Sequence, residues 1–135
     1  MLNTVIALSL LTPFHIAEPY VFNVECSIND YVYNTSGHMS VTYWSNGETE
    51  INQFNNKNEN VNHTSLSSDM TSCENKETIT QCISDVMSNK IMKNLFFIVE
   101  INKLDNTAIY VLVSDGDTEP LQSGTCRVNK QRNLV

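Results

Sequence analysis

Apolar and polar side chains alternate over several short stretches of this chain, and the alternation predicts strands. Tyr20-Val-Phe-Asn-Val-Glu-Cys26 places β-branched and aromatic residues at period two, the pattern of a half-buried strand. Met39-Ser-Val-Thr-Tyr-Trp44 repeats the pattern and runs into Ser45-Asn-Gly47. An Asn-Gly pair after an alternating stretch is a strong hairpin signal, so a return strand is expected over Glu48 to Phe54. Leu95 to Ile101 (LFFIVEI) is dense in strand formers and bounded by Asn94 and Asn102. Leu104 to Val113 closes on an Asp115-Gly116 turn, and Thr125 to Val128 predicts a last short strand.

Two stretches read differently. Asn55 to Ser72 is almost all Asn, Ser, Thr and charge, which predicts a long connection with room for one poor strand. In Thr78 to Met92, Ile79, Cys82, Ile83, Val86 and Met87 recur at three- and four-residue steps, a helical period that predicts a short amphipathic helix. At least five strands separated by turn signals, with a Trp on the second, predict an all-β antiparallel sandwich carrying at most that one helix.

Composition changes this picture little but excludes some functions. A chain of 135 residues suits one domain. Its 8 basic against 15 acidic residues give a net charge of −7, which sets nucleic acid aside as a partner. With 41% hydrophobic and 17% charged residues it is too apolar to stay disordered. Met1 to Leu11 is an apolar run too short to span a bilayer, and no other segment can span one. The run suits a secretory signal peptide ending at Ala17, with one domain over 18–135, against the alternative of a buried first element. Asn34-Thr-Ser and Asn62-His-Thr are acceptors for N-linked glycans on a secreted protein.

The even number of cysteines, Cys26, Cys73, Cys82 and Cys126, points to disulfides in an oxidising compartment, with three pairings open. Cys73 with Cys82 would clip a local loop, and any cysteine lacking an intrachain partner would bridge a disulfide-linked homodimer. No two cysteines lie two to four apart and His15, His38 and His63 lack ligand spacing, so no metal and no cofactor is expected. No G-x-S-x-G elbow or glycine-rich phosphate loop is present either, and an enzyme is not expected.

Leu104-Asp-Asn-Thr-Ala108-Ile-Tyr110 resembles the run into strand F of immunoglobulin-like domains, and Trp44, 18 residues after Cys26, resembles their strand C tryptophan. Where such domains carry a second bridging cysteine, two residues beyond the tyrosine, this chain has Leu112. Within that group the chain is similar to the interleukin-18-binding proteins, secreted single-domain decoys of mammals and poxviruses. Tyr43-Trp44-Ser-Asn-Gly47 followed by Ile51, and Val111-Leu-Val113-Ser-Asp115, carry the similarity over about a third of the chain. The resemblance implies a sandwich that covers the receptor-binding surface of a host cytokine, interleukin 18, with aromatic anchors. Tyr43 matches one such anchor, whereas a phenylalanine of the family falls at about Glu50 here, offering a carboxylate to a lysine instead.

Tyr43, Glu48, Glu50, Ile51, Gln53 and Phe54, helped by Pro120, are therefore the expected partner-binding residues. Trp44 is expected in the core and Tyr43 on the opposite, outward face. Glu48 and Glu50 share a face that serves equally as a solvated edge. The competing readings are a secreted helical cytokine mimic built on Thr78 to Met92, and an immunoglobulin-like module for another host surface protein.

Overall fold

The computed structural model describes residues 20–88 and 93–130, and the expected leader lies outside them. Among the described residues nine antiparallel strands form one sheet: β1 (Tyr20–Asp30), β2 (Thr35–Trp44), β3 (Thr49–Asn55), β4 (Asn60–Leu66), β5 (Thr71–Asn75), β6 (Ile79–Ser88), β7 (Lys93–Asn102), β8 (Thr107–Ser114) and β9 (Gln122–Lys130). Their order across the sheet is β4-β3-β2-β1-β9-β8-β7-β6-β5, so strands lie beside their chain neighbours except β4 and β5, which stand at opposite edges, and β9 returns to β1. A single 3-10 turn, Ser68–Met70, joins the two edge strands β4 and β5.

The sheet curls over itself. Gln53 of β3 donates to Gln122 of β9 at 3.1 Å although β2 and β1 lie between them in the sheet. At the seam, the Thr49 and Thr71 hydroxyls of β3 and β5 are 3.2 Å apart, and Thr71 meets Ser84 of β6 at 2.8 Å. The fold is thus all-β and antiparallel, with its two halves facing each other as in an immunoglobulin-like sandwich. Its core joins Val24, Met39, Val41, Ile51, Phe97, Val99, Ile101, Tyr110 and Val128, contributed alternately by strands of both halves.

Both disulfides join directly paired neighbours: Cys26 with Cys126 across β1 and β9, and Cys73 with Cys82 across β5 and β6. No free cysteine remains among the described residues. Leu112, where a bridging cysteine would sit in an immunoglobulin domain, packs its side chain against the core.

One expectation is corrected here. The stretch read as a helix is strand β6 up to Ser88, and residues 89–92 of it lie outside the described residues. Pairing with β5 and β7 on either side, and the Cys82 bond, override the helical spacing. Cys82 and Ser84 point inward at period two, because the Ser84 hydroxyl finds Thr71, while Ile83 is left exposed. The long connection after Asn55 holds the complete edge strand β4, entered by a turn in which the Asn55 side chain accepts from the N–H groups of Lys57 and Glu59.

Candidate interaction face

Strands β2 and β3 meet in the hairpin that the Asn-Gly pair predicts. Gly47 has a φ of +92°, a backbone state that a side chain disfavours, and its N–H donates to the Trp44 carbonyl at 3.0 Å. The Asn46 carboxamide accepts from the Glu48 N–H at 3.0 Å, which fixes the turn from its other side. Beyond the turn the pleat decides which side chains reach solvent.

On β2, Met39, Val41 and Tyr43 point inward, and His38, Ser40, Thr42 and Trp44 lie on the outer face. The expected assignment of Tyr43 and Trp44 is therefore reversed. Three consecutive inward apolar positions set the phase of the strand, and the indole falls on the other side of it. Tyr43 is 5% exposed, its ring lies 4.6 Å from that of Phe22, and burial holds its phenol well above the usual range.

The same pleat divides the other expected contacts. Ile51 is in the core, and Gln53 points inward to the Met39 sulfur and Gln122. Glu48, Glu50 and Phe54 lie on the outer face, where Phe54 stacks on His38 with ring centres 5.1 Å apart. Pro120 sits in the β8–β9 loop beside Tyr31 and Val32, at the far end of β2 from Trp44, and does not join them.

What the structure brings together is an acidic and aromatic face that includes two residues absent from the expected set, Trp44 and His63. The Trp44 indole Nε1 donates to Glu50 Oε1 at 3.2 Å, and His63 Nε2 of β4 stands 3.8 Å from Glu50 Oε2. Trp44, Asn46, Glu48, Glu50, Ser65 and Ser67 line a shallow depression of about 490 Å³. An indole held by one carboxylate, with a second carboxylate two residues earlier at the end of the turn, suits a lysine or arginine: charge from the carboxylates, a π-face from the ring. The alternation of Met39, Val41 and Tyr43 against His38, Ser40 and Thr42 already carried the signal for Trp44, whereas the arrival of His63 from β4 had none in the sequence.

Among the described residues no three His, Cys, Asp or Glu side chains are placed to hold a metal ion, and no helix is long and apolar enough to cross a membrane. Comparison of the chain with family models, with curated proteins and with solved structures finds no match.

Proposed function

We propose that the chain is a secreted decoy that binds a host cytokine, interleukin 18 first among candidates, and covers its receptor-binding surface with the outer face of β2, β3 and β4. The observation that carries the reading is the Trp44 indole pinned by Glu50 beside the exposed Glu48, on a protein of net charge −7. Such a face selects a basic partner surface, and long-range attraction speeds the encounter. The resemblance of the Tyr43 to Ile51 hairpin to the interleukin-18-binding proteins supports the choice of partner.

The test is binding of the secreted protein to a panel of immobilised cytokines that includes interleukin 18, with a cell assay of cytokine signalling. Tight binding to interleukin 18 with loss of signalling is expected. Charge reversal at Glu48 and Glu50, or Trp44→Ala, should weaken it by about 2 kcal/mol or more, roughly thirtyfold, as for central interface residues. Association should also slow as salt is raised. Absence of binding to every cytokine in the panel overturns the decoy reading, and unchanged affinity in these variants overturns the choice of face.

A further inference from the structure

The two glycan acceptors are 28 residues apart in sequence and open onto the same groove. Asn34 ends the β1–β2 turn, Asn62 lies in edge strand β4, and both exposed side chains line one groove of about 870 Å³ at the end of the sheet away from Trp44. The groove has a fixed polar floor. Gln122 donates to Asp30 Oδ2 at 2.8 Å, while its carbonyl oxygen accepts from the Tyr110 hydroxyl at 2.7 Å and from Gln53 at 3.1 Å. The other Asp30 oxygen accepts from the N–H groups of Val32 and Tyr33, at 2.9 and 3.0 Å, and so holds the turn that presents Tyr33. On the rim, Tyr33 is 78% and Val61 60% exposed, an aromatic ring and a branched apolar side chain standing in water beside the two acceptors.

A pyranose has hydroxyl edges and an apolar C–H face, the complement of an amide-lined floor with an aromatic rim. We propose that this groove seats the chain's own N-linked glycans: the first saccharides on Asn34 and Asn62 lie back into it, covering Tyr33 and Val61 and meeting the polar floor with their hydroxyls. In the attachment step each Asn Nδ2 gives up one proton and bonds the anomeric carbon of a lipid-linked oligosaccharide, whose diphosphate is the leaving group. The inference rests on the secreted part of the proposed function and not on the identity of the partner.

The experiment expresses the full chain in a mammalian secretory line, maps occupancy at both asparagines by mass spectrometry and compares melting temperatures. Three forms are compared: intact glycans, glycans trimmed by an endoglycosidase to one N-acetylglucosamine per site, and glycans removed whole by an amidase. Both sites should be occupied, and trimming should leave the melting temperature within about 1 °C, whereas full removal lowers it by about 4 °C. Because the amidase leaves aspartates, the double variant Asn34→Gln with Asn62→Gln is the check, and it should melt with the fully stripped form. Tyr33→Ser, in an exposed turn, should abolish the difference between trimmed and stripped protein. Secretion with bare asparagines, or equal melting of all three forms, overturns this proposal alone. Retention of the chain in the cytosol overturns it together with the secreted reading.

Discussion

Two tyrosines in the core of this sheet make opposite use of their hydroxyls. Tyr110 is fully buried and donates to Gln122, whereas the buried Tyr43 hydroxyl makes no hydrogen bond among the described residues. An unpaired buried hydroxyl costs free energy that its removal returns. Tyr43→Phe is thus expected to leave stability unchanged or raise it by about 1 kcal/mol, and Tyr110→Phe to lower it by about 1 kcal/mol, read from urea midpoints at constant m-value. Tyr43→Ala should cost about 3 to 5 kcal/mol through the cavity left beside Phe22 and Val41. A loss of stability in Tyr43→Phe would show that the hydroxyl has a partner. At this scale the phase of β2 is legible in the sequence itself. Polar His38, Ser40 and Thr42 alternate with Met39, Val41 and Tyr43, and this alternation, not the size of the indole, decides which way Trp44 faces.

Among the elements, strands whose own side chains alternate beside a turn signal were legible, and those whose inward positions are set by a partner strand were not. The β2–β3 hairpin announces itself through Asn46 and Gly47. Strand β6 does not, since its inward Ser84 is acceptable only because Thr71 arrives from β5 to meet it. Strand β4 likewise depends on β3 for its pairing, and an Asn-rich edge carries little signal of its own. The two disulfides differ at this scale too. Cys26 and Cys126 close a loop with a sequence separation of 100, Cys73 and Cys82 one of 9. On chain-entropy grounds the first contributes about 4 to 5 kcal/mol and the second about 2 to 3 kcal/mol. The Cys26→Ser with Cys126→Ser variant should therefore melt well below the Cys73→Ser with Cys82→Ser variant. Equal melting temperatures would refute that ranking.

For the whole molecule, the two candidate surfaces lie at opposite ends of the curled sheet, Trp44 and its carboxylates at one and the amide-lined groove at the other. Glycans seated in the groove would leave the acidic face open to a partner. The core also fixes the response to alkali. Burial raises the phenol of Tyr43, and burial followed by the Asp30 carboxylate raises that of Tyr110. Both stay protonated when folded and ionise near pH 10 when unfolded. Above that pH the unfolded chain binds fewer protons, so stability falls as pH rises, by up to about 1.4 kcal/mol per unit for each tyrosine. Unfolding followed from pH 8 to 11.5 should show the decline beginning near pH 10, and Tyr43→Phe should make it shallower. An undiminished slope in that variant would place the titration elsewhere.

The return of β9 to β1 also decides when the sheet can be completed as the chain is made. As the chain emerges from its amino-terminal side, β1 waits for its second neighbour through the synthesis of every other strand, and Cys26 waits with it. Cys73 and Cys82, 9 residues apart, can close their loop before Cys126 is made, and in an oxidising compartment that would leave Cys26 and Cys126 as the remaining pair. The first cysteine of the chain thus shares its bridge with the last.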